Sequence, residues 1–302
     1  MDRPLRVAVV GAGPAGLACA SVAAECGHRV TLFEAANEIG GQFNLARRIP
    51  GKEEFSETLR YFASQLDLHG VEKKLGASVS AAQLLEGGFD EIVLATGIRP
   101  RKVAFPGADH PKVCNYVDVI TGKVQVGRSA ALIGAGGIGF DVAEFLVQDT
   151  PSPSMDIPRW FAEWGVRPDF EGPGGLTRPH VEASPRKLWL LQRSGGKPGA
   201  KLGKTTGWIH RSTLKAKGVT ALGNVEYLGV DDSGLRIRVA GVEQLLSVDH
   251  VVVCAGQEPL RALVDPLTAA GRTPHLIGGA DIAAELDAKR AIAQGSKLAA
   301  SF

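Results

Sequence analysis

The chain has 302 residues, 44% of them hydrophobic and 22% charged, with a formal net charge of +2. That length accommodates about two domains and a sizeable core, and the near-neutral balance excludes the basic footprint of a nucleic-acid binder. No stretch approaches the ~20 apolar residues of a membrane span, and the four cysteines include no CxxC, which argues against a redox dithiol and against a cysteine-held metal or cluster.

From the N-terminus, Arg3 and Arg6 precede an apolar run of only four residues, too short for a signal peptide, so a cytoplasmic protein is expected. That run, VAVV over 7–10, leads directly into Gly11-Ala12-Gly13-Pro14-Ala15-Gly16. A GxGxxG between a buried strand and a helix makes a tight turn, lets backbone approach a pyrophosphate, and aims helix N-terminal amides at it. The alanine-rich stretch 17–26 predicts the helix, closed at Gly27 by a left-handed cap. A second strand over 29–33 then delivers Glu34, 18 residues after Gly16, where an acid grips ribose hydroxyls.

Gly40-Gly41-Gln42 follows in a loop. Its paired glycines allow backbone to lie close to the same dinucleotide, or to pack on its own helix. Phe55, Leu59, Phe62 and Leu66 recur at helical spacing and mark a core-facing helix. A strand over 91–95, continuously apolar at 92–94, leads into Ala95-Thr96-Gly97, at the carboxyl end where open α/β sheets bind ligands. Pro106-Gly107 reads as a crossing into a second domain.

There the opening pattern recurs. Residues 130–133 run into Gly134-Ala135-Gly136-Gly137-Ile138-Gly139 and a helix follows through 142–147. The second strand of this unit is expected over 188–192, ending at Arg193 rather than an acid. An acid would repel a 2'-phosphate and an arginine can fork onto it, so the swap favours NADP over NAD. Lys197, Lys201 and Lys204 either add charge there or form a solvated basic loop. Between helix and strand, residues 150–186 form a detour crowded with Pro151, Pro153, Pro158, Trp160, Phe161, Trp164, Pro168, Phe170 and Pro173. A docking surface for another domain and a self-packed lid both suit it. His210 is read as a helix-surface or capping group rather than a catalytic acid. A hairpin is expected over 225–230 and 235–239, and a buried strand over 251–256 echoes 92–97. Last, Gly278-Gly279-Ala280-Asp281 and a helix over about 283–300 return to the strand, turn and helix of the opening and complete the first domain.

Together, Gly11 to Gly16 with Glu34, Gly40-Gly41-Gln42, Ala95-Thr96-Gly97, Gly134 to Gly139 and Gly278-Gly279-Ala280-Asp281 resemble the two-dinucleotide-binding flavoprotein superfamily over almost the whole chain. The fold class expected is α/β, two Rossmann-like domains with the second inserted in the first: an FAD-binding domain over 1–107 and 257–302, and an NADPH-binding domain over 108–256 carrying the 150–186 insertion. More narrowly, the strings at 190–193, 203–211, 254–259 and 285–292 resemble the C-terminal half of bacterial NADPH-dependent 2,4-dienoyl-CoA reductase, an enzyme of fatty acid beta-oxidation. The resemblance implies FAD on Gly11, Gly13, Pro14, Ala15, Gly16, Glu34, Gly41, Gln42, Ala95, Thr96, Gly97, Gly279, Asp281 and Ile282, with the Ile282 amide offered to the flavin. It implies NADPH on Gly134, Gly136, Gly137, Ile138, Gly139 and Arg193, with no side chain acting as acid or base and no metal. The partner it implies is an FMN/iron-sulfur barrel of the same longer enzyme, or a separate electron acceptor. Leu260 departs from the asparagine that relatives often carry after Pro259. Two rivals stand beside this reading: a non-catalytic domain holding ADP or FAD structurally, as in related amine dehydrogenases, and a stand-alone NAD(P)H reductase subunit like that of glutamate synthase.

Overall fold

The computed structural model describes residues 3–148, 151–169, 171–283 and 287–302. Thr150 and Phe170 of the insertion, and Glu285 and Leu286 of the last resembling string, lie outside the described residues. Two compact units emerge. One comprises the described residues of Met1–Arg47, Glu54–Arg99 and Gln257–Phe302, the other those of Arg48–Glu53 and Pro100–Gly256.

Each unit is built on a five-stranded, all-parallel sheet. In the first, the order across the sheet is His275–Leu276, Glu91–Leu94, Arg6–Val10, Arg29–Phe33, Glu72–Lys74. In the second it is Val113–Asn115, His250–Val253, Ser129–Ile133, Lys187–Leu191, Thr220–Leu222. The two orders correspond strand for strand, and the fold is α/β of the Rossmann-like kind.

The apolar runs are continuous because both faces of the sheet are covered. Val7, Val9 and Val93 enter one core with Leu17, Leu59, Phe62 and Leu66, while Ala8, Val10, Ile92 and Leu94 enter another with Leu84 and Leu267. The helix Phe55–Leu68 therefore buries the face its spacing predicted. The helix Pro14–Glu25 opens with proline, whose missing N–H costs nothing in a first turn, and Gly27 follows it at φ +90°. The C-terminal helix Ala288–Ala299 meets it closely: a Cβ on Gly295 would lie 2.2 Å from Ala15 O. That helix begins later than the expected 283, because the Asp287 carboxylate caps it by accepting from the Lys289 amide at 2.8 Å.

Between the third and closing strands the units differ. The first unit has the short helix Ala81–Glu86 with a Ser80–Gln83 capping box. The second has an antiparallel sheet of Glu226–Asp231, Gly234–Val239 and Val242–Leu246, a strand more than the hairpin expected. The extra turn uses Ala240 at φ +50° before Gly241 at φ +79°, and an alanine does not advertise that conformation. The 150–186 detour contains the helix Ile157–Trp164, capped by Asp156 and ended by Gly165 at φ +66°. It is anchored to its own unit: Glu163 pairs at 3.0 Å with the buried Lys217, whose Nζ also donates to Glu182 O. No helix among the described residues is long and apolar enough to cross a membrane.

Candidate functional site: two glycine turns

In the first unit, the Gly11 N–H donates to Phe33 O at 2.8 Å, which turns the chain sharply at φ +106°. A Cβ there would meet Ala95 O at 2.4 Å, and one on Gly16 would meet Gly11 O at 1.9 Å, so only glycine fits either position. Gly13 differs: a Cβ on it would meet nothing within 4 Å, because this face of the turn is open. The helix that follows has no side-chain N-cap, leaving the Ala15 and Gly16 amides without a carbonyl one turn earlier. An open face rimmed by free amides at a helix N-terminus fits a pyrophosphate.

Glu34 stands at the same rim. One of its carboxylate oxygens accepts from the Ala12 amide at 2.7 Å and the other from the Ala36 amide at 2.9 Å. Each oxygen retains acceptor capacity, so the carboxylate is oriented without being used up. The glycine pair packs on the turn itself: the Gly40 N–H donates to Ala12 O at 2.8 Å and a Cβ on Gly41 would lie 2.9 Å from Gly13 Cα. Gln42 opens the short helix Phe43–Ala46 beside it. Gly279 rests on Gly97 and Ile98, and Gly278 on Ala15, which brings the 278–281 turn to this rim beside Ala95, Thr96 and Gly97. Gln294, which nothing in its own helical segment singles out, fixes that turn by accepting from the Gly278 amide at 2.8 Å and donating to the Asp281 carboxylate at 2.7 Å. The Ile282 N–H is not free to face outward as expected, since it donates back to Gly278 O at 3.1 Å and closes the turn on itself.

The second unit repeats this construction. Gly134 turns at φ +114° with its N–H donating to Leu191 O at 2.9 Å, and a Cβ on Gly139 would lie 1.8 Å from Gly134 O. Gly136 and Gly137 face open space at the start of the helix Gly137–Leu146, which Ile138 continues. The residues thus fit a second dinucleotide.

The second strand of this unit ends one residue before the expected Gln192. The strand is Lys187–Leu191, and because Leu191 occupies the place of Phe33, the counterpart of Glu34 is Gln192, with Arg193 one residue beyond. Gln192 turns its amide inward, donating to Ser194 O and Gly195 O, both at 3.1 Å, and so pins the loop after the strand. Arg193 is exposed and has no ion pair among the described residues. Lys197, Lys201 and Lys204 are exposed in the same loop region.

His210 is neither a cap nor a free surface group. Its Nδ1 lies 2.7 Å from Oε1 of Glu144, a residue only 5% exposed in the helix that follows the second glycine turn. The hydrogen bond to Glu144 holds the imidazole above its ordinary pKa, against partial burial, which pushes it down. Lys52 pairs with Asp141 on the same helix at 2.6 Å. The four cysteines are free thiols. Burial pushes Cys19 up to about 12 and Cys114 up to about 11, and raises Cys254 as well, so these three are inert thiols at neutral pH.

A model of the pyridine nucleotide-disulphide oxidoreductase family matches residues 5–274. The chain belongs to that family. Membership makes it a flavoprotein NAD(P)H oxidoreductase domain, a class whose cofactors are a flavin and a nicotinamide nucleotide. The chain is 28% identical over 283 residues to the metal reductase of Desulforamulus reducens, covering 92% of this chain and 41% of the relative. It is 28% identical over 246 residues to the NADH oxidase of Thermoanaerobacter brockii, covering 78% and 37%. Among solved structures, a 2-naphthoyl-CoA reductase superposes with a TM-score of 0.82 at 26% identity, over 100% of this chain and 40% of that one. The thioredoxin reductase of T. acidophilum matches in fold at TM-score 0.64 and 17% identity. The chain therefore spans about two fifths of the length of the first relatives it matches.

Proposed function

We propose that this chain is an electron-input module that takes hydride from NADPH onto FAD, of the kind found in the C-terminal half of 2,4-dienoyl-CoA reductase. The observation that carries the reading is the doubling of one glycine turn with different residues at the two second-strand ends, Glu34 in one unit and Gln192-Arg193 in the other. A carboxylate suits the unmodified ribose of FAD, while a neutral amide followed by a guanidinium with no ion pair among the described residues suits a 2'-phosphate. The strings at 190–193, 203–211 and 254–259 add the resemblance to the dienoyl-CoA reductase half.

In this reading a nicotinamide and a flavin bound together supply hydride transfer, and the protein has to place them and exclude other reactions. The amides of Ala15 and Gly16 receive the FAD pyrophosphate on the open face of Gly13, and Glu34 accepts from the adenosine ribose. Asp281, held by Gln294, would accept from a ribitol hydroxyl near the phosphate through its other carboxylate oxygen. The Ile282 amide, already donating to Gly278 O, takes no part in holding the flavin. Gly134, Gly136 and Gly139 receive NADPH and Arg193 takes the 2'-phosphate. The chemistry needs no side chain to act as acid or base. The onward acceptor is an FMN/iron-sulfur barrel of the same longer enzyme or a separate protein.

The test is an anaerobic titration of the FAD-loaded protein with NADPH and, separately, NADH, followed by absorbance near 450 nm. Bleaching by NADPH at concentrations where NADH is ineffective is the expected result. Equal bleaching by both overturns the cofactor preference, and a flavin that neither reduces overturns the module.

A further inference from the structure

The two units repeat each other beyond the glycine turns. After each closing strand comes a left-handed glycine, Gly97 at φ +76° and Gly256 at φ +83°. Each carbonyl is taken by the amide of a residue just past a short crossing strand: Leu260 N–H donates to Gly97 O at 3.0 Å, and Arg101 N–H to Gly256 O at 3.1 Å. Leu260 and Arg101 are therefore counterparts, one apolar and one cationic. Their surroundings differ too. A Cβ on Gly97 would meet nothing within 4 Å, whereas one on Gly256 would lie 3.0 Å from the Arg101 Cζ and 3.1 Å from its Nη1. The guanidinium lies over Gly256, is exposed, and has no ion pair or side-chain hydrogen bond among the described residues. An arginine braced on a backbone glycine and lacking a carboxylate partner is preorganised for an anion that the chain does not supply.

Its place in the sheet says which anion. Gly134 packs on the end of the closing strand, since a Cβ there would lie 2.9 Å from the carbonyl of Cys254 and 3.2 Å from Ala255 Cα. The first strand of the unit, Ser129–Ile133, has Lys187–Leu191 on one side and His250–Val253 on the other. Arg193 and Arg101 thus flank the second glycine turn from opposite sides. A dinucleotide lying across the turn with its adenosine ribose toward Arg193 directs its other nucleotide toward Arg101.

We propose that Arg101 binds the nicotinamide nucleotide half of NADPH through the phosphate on that side, an inference that rests on the second unit being the NADPH site. Arg193 then selects the cofactor and Arg101 holds the half that both NADPH and NADH share.

Equilibrium calorimetry with NADP+ and with 2',5'-ADP, which lacks the nicotinamide half, separates the two arginines. Arg101→Ala should weaken NADP+ about tenfold or more, the loss expected for a charged hydrogen bond, and leave 2',5'-ADP unchanged. Arg193→Ala should weaken both ligands. Arg101→Lys, which keeps the charge and loses the fork, should fall between wild type and alanine and guards against a folding defect in the alanine variant. If both Arg101 variants bind NADP+ like wild type, or lose NADP+ and 2',5'-ADP in equal measure, the inference fails while the second unit remains an NADPH site. A wild-type protein that binds neither ligand overturns the NADPH reading itself, and this inference with it.

Discussion

Removing the imidazole of His210 would strand a carboxylate inside the second unit. Glu144 is 5% exposed and its carboxylate lies 2.7 Å from the ring, so His210→Ala leaves a buried charge without its partner. Breaking a buried pair from one side costs about 3–5 kcal/mol, and the partial exposure of the ring, 28% of its side chain, puts the expectation at the lower end. At about 2–4 °C per kcal/mol for a unit of this size, a loss of roughly 3 kcal/mol lowers the melting temperature by about 6–12 °C. Glu144→Gln keeps the shape and an acceptor and should cost less, about 1 kcal/mol. The pH dependence has a definite sign. Glu144 raises the His210 pKa, so the charged pair contributes stability that is fully present below the unfolded imidazole value of about 6.5 and is lost as pH rises through the raised value. The difference between wild type and Glu144→Gln is therefore widest near about pH 6 and narrows above it. Scanning calorimetry across about pH 6 to 8.5 measures both effects. A His210→Ala variant that melts with wild type, or a gap that widens with pH, would show that the His210–Glu144 pair does not stabilise the unit.

Other expectations concern the two turns. Arg193→Ala should reduce the preference for NADPH over NADH by about ten- to hundredfold, the worth of a charged hydrogen bond to phosphate, and unchanged selectivity in steady-state assays with both nucleotides contradicts the assignment. Gly139→Ala forces a methyl to 1.8 Å from Gly134 O, so nicotinamide nucleotide binding measured by calorimetry should fail while FAD content stays at the wild-type level. Glu34→Gln keeps an acceptor but removes the charge that the Ala12 and Ala36 amides orient, and FAD affinity should fall about tenfold; retention of FAD through gel filtration at wild-type affinity speaks against Glu34 as the ribose ligand.

The glycine turns were legible because their geometry is unforgiving: Gly11 and Gly134 need positive φ and Gly16 and Gly139 have no room for a methyl, so the residue type announces the turn. The matching second strands and the core face of Phe55–Leu68 were legible for a similar reason, since burial imposes a period on the residues. What escaped depends on contacts between distant positions. The end of the strand Lys187–Leu191 is set by the Gly134 amide on Leu191 O, not by residue type, which is why Gln192 and not Arg193 stands where Glu34 does. His210 meets Glu144 across 66 positions, and nothing local in either segment names the other. Arg101 is one basic residue among several until Gly256 is found beneath it.

Two dinucleotide sites of different preference on one chain are open to native mass spectrometry of the protein with FAD and NADP+ together. One FAD and one NADP+ should appear on the same chain, with NADP+ lost from Gly139→Ala and FAD retained. Mutual displacement, with one nucleotide of either kind per chain, would contradict two separate sites.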